Sequence, residues 1–325
     1  MSADQAIHPP DLEKTPKSAG RSRSGTRSQL ERSSARLGWG FATPALVVVA
    51  AVTIFPIVFS LIMSFSNVNV TGDGFSLSGF TGHNFSIVFS SDLWQHAIVF
   101  TTLYTITTVI VEIVLGTAIA LVLERLTASR GWMMALLLLP WAIITVISAQ
   151  LWSYVYNGVY GVLTAIISPL NGGHDINVLG SSFSATAAMA VADIWKTTPF
   201  VAIITLAGLV MLPGDIVEAA RIDGASAWTI FWRVRLPLLR PTLSIAVLFR
   251  ILQAFGLFDL PYVLTGGGPG DSTESLALLG WKVMFNDLKF GAGAAVAAST
   301  AGIVLIACLV FLKVFRSQVG SEETA

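Results

Sequence analysis

The stretch that decides the fold runs from Val217 to Pro237, VEAARIDGASAWTIFWRVRLP. It lies between two long apolar runs and is too polar to cross a bilayer. Its punctuation predicts two short helices. Pro213 and Gly214 end the preceding run, and Asp215 is placed to cap the next helix by accepting from its orphan N–H groups. A short helix follows over Ile216–Ile222, kept slim by Ala219 and Ala220. Asp223 and Gly224 stop it, because glycine adopts the left-handed conformation that helix C-termini often need. Ser226 can cap a second, amphipathic helix over Ala227–Arg235. Pro237 and Pro241 are expected to break the chain before the next apolar run.

The composition says what surrounds this stretch. Of 325 residues, 54% are hydrophobic and only 12% charged, about half the charged share of an ordinary soluble domain. Apolar segments are expected at 39–65, 97–123, 133–156, 185–212, 243–263 and 292–315, each long enough at 1.5 Å per residue to cross a hydrocarbon core of about 30 Å. They do not alternate, so helices and not barrel strands are expected. Residues 1–38 are polar and read as a disordered tail. The six-span domain covers 39–316, with a polar loop at 213–242, and 317–325 form a short second tail.

Lys and Arg are distributed asymmetrically. Seven lie in the N-terminal tail, Arg125 and Arg130 in one loop, Arg221, Arg233, Arg235 and Arg240 in the 213–242 loop, and Lys313 and Arg316 at the C-terminal end. The opposite loops hold only Lys282 and Lys289. The positive-inside rule therefore puts both termini and the 213–242 loop in the cytoplasm. The formal net charge is zero, which gives no reason to expect a nucleic-acid partner. The single Cys308 excludes an internal disulfide or a cysteine-based metal cluster, and His8, His83, His96 and His174 are too scattered to form a metal site.

The order Glu218-Ala219-Ala220, three residues, Gly224, nine residues, Val234, one residue, Leu236-Pro237 resembles the EAA loop of permease subunits in binding-protein-dependent ABC importers. Val234 stands where that pattern usually has Ile. Phe258–Pro269 (FDLPYVLTGGGP) and Trp195–Phe200 (WKTTPF) are similar to helix segments of carbohydrate-type permeases. The resemblance covers about residues 40–316. It implies an all-α polytopic membrane protein with the type I ABC importer permease fold, in the cell membrane. It implies that Glu218, Ala219, Ala220, Arg221, Asp223, Gly224, Leu236 and Pro237 form a coupling helix docking on an ATP-hydrolysing subunit. The implied partners are a second homologous permease, two ATPase subunits and an extracytoplasmic sugar-binding protein. A disaccharide such as trehalose or maltose is the expected cargo; a monosaccharide or glycerol phosphate is the alternative.

No nucleotide site is encoded. GGGPGDST has no Lys before its Ser-Thr pair and follows no strand, and none of the Lys-Ser or Lys-Thr pairs has a glycine directly before the Lys, so it is not a P-loop. ATP and Mg are therefore expected on a partner chain, and no cofactor or covalent chemistry on this one. An ion-coupled carrier is the alternative from another class. It would use broken helices with midplane ligands, with Glu112, Asp193 and Lys196 as a relay.

Ionisable residues in the spans should face protein or a wet cavity, since exposure to lipid at the helix centre costs about 2.5–3.5 kcal/mol each. Asp193 and Lys196 are three apart and can pair, or one of them can meet a sugar. Arg250 is expected to snorkel or cap, and Glu112 to bond between helices. The sugar-pathway candidates are Trp152, Tyr154, Asp193, Trp195, Lys196, Gln253, Asp259 and Tyr262. For the aromatics, belt or packing duty is the competing reading. Gln253 and Asp259 can line one cavity only if it is wide, or if the helix loosens near Gly256.

Overall fold

The computed structural model describes residues 24–71, 74–126, 128–171 and 177–319, and the chain divides into two units, up to Ile57 and from Val58. Helix α1 (Ser24–Ser64) carries the first apolar span, Trp39–Ser64. The reading of 1–38 as a disordered tail does not hold from Ser24 onward, where the backbone is already helical. Extending an existing helix fixes one residue per added hydrogen bond, without the cost of nucleation. Residues 1–23, and 320–325 of the second tail, lie outside the described residues.

After α1 comes a hairpin, β1 (Ser66–Thr71) and β2 (Gly74–Phe80), antiparallel with Val68 opposite Leu77. It is a small departure from the expected all-α architecture. Asn84, in α2 (His83–Phe89), ties the hairpin's base down by donating from Nδ2 to the carbonyls of Ser64 and Ser66 at 3.0 and 2.9 Å. Phe65 stacks on Phe80 with centroids 5.2 Å apart.

Helices α3 (Asp92–Arg125) and α7 (Ser182–Met211) are the spans with the largest buried shares, and they pack chiefly against each other. Small residues set their approach: a Cβ on Gly116 would stand 2.7 Å from a Val201 methyl and 3.0 Å from the Ala202 backbone nitrogen. Lipid gives helices no hydrophobic reason to associate, so close backbone packing of this kind must supply the attraction.

The third expected span is not one helix. Helix α4 (Arg130–Ala142) and α5 (Thr145–Val155) meet at 88°. Pro140 lies in the last turn of α4, and Ile143 and Ile144 between the helices are extended. Apolar periodicity cannot register such a break, because both arms are equally hydrophobic. Among the described residues, five helices are long and apolar enough to cross a membrane, or six spans with the bent pair as one. On from α5 come α6 (Val162–Ile167), a 3-10 turn at 168–171, and α7, whose first turn is capped by Ser181 accepting from Ser184 N–H at 3.2 Å.

Beyond α7 the chain forms α8 (Gly214–Ile222) and α9 (Ala227–Ile230), then a π-turn over Phe231–Arg235 that runs directly into α10 (Leu236–Phe255). The prolines do not break the chain as expected. Pro237 sits at the start of α10, immediately after the π-turn, where the wider hydrogen-bond spacing takes up its missing N–H. The span is therefore Ala227–Phe255, not 243–263. It ends at Gly256, and a separate α11 (Asp259–Leu264) follows. The next segment holds α12 (Leu276–Trp281) with its own π-turn over Lys282–Asn286, and α13 (Phe290–Val319) closes the described chain.

Three apolar clusters hold the second unit. One joins Tyr104, Ala149, Met189 and Leu260; another, nearer α8, joins Ala120, Leu123, Leu206 and Leu239; the third joins Val88, Ala97, Leu279 and Val296.

Candidate functional site: the coupling segment and the buried charges

The end of α8 is built as its sequence requires. Gly224 has φ +79°, the left-handed region. Its N–H donates to the Arg221 carbonyl and the Ala225 N–H reaches back to the Ala220 carbonyl, both at 3.0 Å. That pair of bonds is the Schellman arrangement, and it satisfies carbonyls that a helix end would otherwise leave open. Ser226 caps α9: its Oγ accepts from the Thr229 N–H at 3.2 Å and lies 2.9 Å from the Thr229 hydroxyl. Asp215 does not cap α8. The cap position is Pro213, and Asp215 lies in the first turn, where its charge still faces the positive end of the helix dipole.

Glu218, Ala219, Arg221, Ile222, Asp223 and Gly224 are exposed, and Val217 is buried beneath them. Ala220 is half-buried. The segment thus presents one free face and anchors the other. Trp228 is 71% exposed and forms an edge contact with Trp232 at 5.4 Å. Leu236 and Pro237 are half-buried at the start of α10. Arg235, which the sequence reading left unassigned, donates from Nη1 to Glu124 Oε2 at 2.7 Å, tying the segment to the end of α3. Sequence gave no sign of this pair, since 111 residues separate the two.

Three of the span charges, Glu112, Asp193 and Arg250, gather in one place. Arg250 is 2% exposed, so it neither snorkels nor caps as expected. Its guanidinium holds Glu112 from α3 with Nε and Nη2, the latter at 2.8 Å from Oε1. Nη2 also reaches Asp193 of α7 at 3.4 Å, and Nη1 donates to Gln253 Oε1 at 3.0 Å. Thr197 completes the Glu112 shell at 2.6 Å. A buried carboxylate needs such a partner, because loss of one member leaves a charge uncompensated in low dielectric. Glu112 is thus an interhelical partner, as read.

The expected Asp193–Lys196 ion pair is not formed. Lys196 Nζ instead donates to the carbonyls of Trp141 at 3.2 Å and Ile143 at 2.6 Å. These are the groups that the bend leaves open at the end of α4, and a cation there also meets the negative end of the helix dipole.

The remaining pathway candidates fall into groups. Trp152 and Trp195 make an edge contact at 5.6 Å, and Trp152 packs on Tyr156. Tyr262 stacks on Phe258 at 5.2 Å and meets Trp281 edge-on at 4.9 Å. Tyr154 stands apart, 55% exposed and near Tyr160. Gln253 and Asp259 flank the break at Gly256, which is where the helix had to loosen.

A membrane-embedded bundle with a folded, exposed segment before its penultimate span is the architecture of a transport subunit. The chain belongs to the binding-protein-dependent transport system inner membrane component family, whose model matches residues 40–317. It is a multi-pass membrane protein. It is 39% identical over 290 residues to the trehalose/maltose transport system permease protein MalF of Thermococcus litoralis, covering 89% of this chain and 97% of that one. It is 33% identical over 303 residues to the trehalose transport system permease protein SugA of Mycobacterium tuberculosis, covering 93% and 94%. Its fold matches a chain of a bacterial ABC transporter that imports the acidic polysaccharide alginate, with TM-score 0.76 at 18% identity over 90% of this chain and 99% of that one.

Proposed function

We propose that this chain is one transmembrane half of an ABC importer for a disaccharide of the trehalose or maltose type. The observation that carries the reading is the exposed α8, closed by Gly224 and continued without interruption from Ala227 into a membrane-spanning helix. A docking segment in one piece with a span can convert movement of a soluble partner into movement within the membrane. The relatives named for trehalose and maltose support the cargo class.

In this reading the bent α4–α5 pair counts as the third of six spans, and both termini are cytoplasmic. A second, homologous permease completes the pore. Two ATPase subunits, which bind ATP and Mg, receive Glu218, Ala219, Ala220, Arg221, Asp223 and Gly224, while Leu236 and Pro237 fix the start of α10. A sugar-loaded binding protein docks on the outer loops; a solved relative of this fold, TM-score 0.74, is an alginate transporter in complex with its pentasaccharide-bound periplasmic protein. Trp152, Tyr154, Trp195 and Tyr262 supply faces for sugar C–H surfaces, and Asp193, Lys196, Gln253 and Asp259 supply polar groups. Nucleotide hydrolysis belongs to the partner.

The test is hydrolysis by the assembled complex in nanodiscs, with its binding protein and a panel of sugars. Trehalose or maltose should stimulate it above the unloaded binding protein. Stimulation only by a monosaccharide or glycerol phosphate would overturn the cargo, and uptake that persists without the ATPases but collapses with the proton gradient would overturn the class.

A further inference from the structure

Helix α3 is joined by ion pairs at two levels to the continuous stretch of the π-turn and α10. At the α8 end, Arg235 bonds Glu124 at 2.7 Å. Deeper in the bundle, Arg250 holds Glu112 through two nitrogens. The partners run in opposite order, 112 with 250 and 124 with 235, as antiparallel helices require. The two ties are 12 residues apart on α3 and 15 on the α10 side, about 18 Å and 22 Å at the helical rise. One tie would leave a hinge, whereas two this far apart remove rotation about either. The deeper tie is buried, with Arg250 2% and Glu112 0% exposed, so bulk water and salt do not weaken it. The outer one is partly shielded, at 17% and 24% exposure.

We propose that Glu112–Arg250 and Glu124–Arg235 form a two-point clamp that makes α3 move as one rigid body with α10. The inference rests on the transport reading above for its function, but not for its mechanics. Without a clamp, a push that reaches α10 through the π-turn at Phe231–Arg235 would leave α3 behind. With it, the push reaches α3, and through the close Gly116–Val201 contact it reaches α7 as well. The four residues are positioning residues; none needs to touch the sugar.

Two measurements test it. Spin labels at Val122 and Leu238, both exposed, report the α3–α10 separation in the purified full-length chain. The distribution should be narrow in the otherwise unaltered chain, broad in Glu124→Arg and in Arg235→Glu, and narrow again in the double swap. In the assembled complex the single variants should lower sugar transported per ATP by about tenfold, within the usual range of coupling between sites, and the swap should restore it. Narrow distances in the single variants, a swap that stays broad, or a separation that changes on adding ATP would overturn the clamp. Should a charge reversal prevent folding, Glu124→Gln and Arg235→Gln carry the same distance measurement. A complex whose hydrolysis no sugar stimulates counts against the transport reading alone, since the label distances decide the clamp without it.

Discussion

The Lys196 ammonium donates to the Ile143 carbonyl at 2.6 Å across 53 residues of sequence, from the middle of α7 to the break between α4 and α5. It seals the backbone groups that an 88° bend exposes. A lysine beside an aspartate three positions away suggests an ion pair, but open carbonyls at a helix end compete for the same cation. Lys196→Met should destabilise the protein by about 1.5–3 kcal/mol, the usual worth of hydrogen bonds to a charged group. The thermal unfolding midpoint in detergent checks this; an unchanged midpoint would show that the seal is dispensable.

Gly116 packs directly against Val201 and Ala202 of α7. Gly116→Val places a methyl-bearing Cβ within 2.7 Å of Val201 and 3.0 Å of backbone, and the Ala202 backbone cannot move aside as a flexible side chain would. Overpacking of this kind costs about 1–3 kcal/mol. The variant should unfold earlier, and Gly116→Val with Val201→Ala should regain part of the loss.

Gly224 separates backbone from docking. At φ +79° any Cβ is strained, yet nothing lies within 4 Å of where it would stand. The left-handed penalty for an ordinary residue is about 1–2 kcal/mol, smaller for Asn and Asp. Gly224→Asp should therefore fold and reach the membrane but add a charge to the exposed face, stopping uptake and lowering coupled hydrolysis. Gly224→Asn, with the same shape and no charge, should keep more uptake. Normal uptake by Gly224→Asp would remove this face from the docking assignment.

Glu274, just before α12, is fully buried against Lys282 at 2.5 Å. Burial raises its carboxyl above the usual carboxylate range, with Asp271 adding to the rise, while Lys282 and the more weakly acting His96 oppose it. A raised value in the folded state means that protonation favours folding. The contribution is present below the ordinary carboxylate pKa and is lost as pH rises through the folded-state value. The difference in unfolding midpoint between the native chain and Glu274→Gln should therefore fall steadily from acidic to neutral pH. A difference that is flat with pH would exclude Glu274 as its source.

The sequence showed most clearly what repeats or punctuates. Long apolar runs, the bias of Lys and Arg, and the order Glu218-Ala219-Ala220 to Gly224 all have local physical causes. The Gly224 turn and the Ser226 cap are where their residues put them. The bend at Ile143 was hidden because hydropathy is the same on both sides of it. Arg250 was misread because its partners come from two other helices, 138 and 57 residues away. The π-turn before Pro237 was missed because a proline reads as a break, and only the three-dimensional chain shows that widening one turn can take its place.

The bend has a consequence for how the protein is made. A translocon samples about twenty apolar residues at a time, and the run through α4 and α5 presents itself as one continuous insert. The lysine that caps the open carbonyls belongs to α7 and emerges from the ribosome only after both arms have been released. Until then the Trp141 and Ile143 carbonyls lack the donor that satisfies them in the folded chain. A truncated chain ending before Lys196 therefore lacks the group that seals the elbow, and it should be a substrate for membrane quality control.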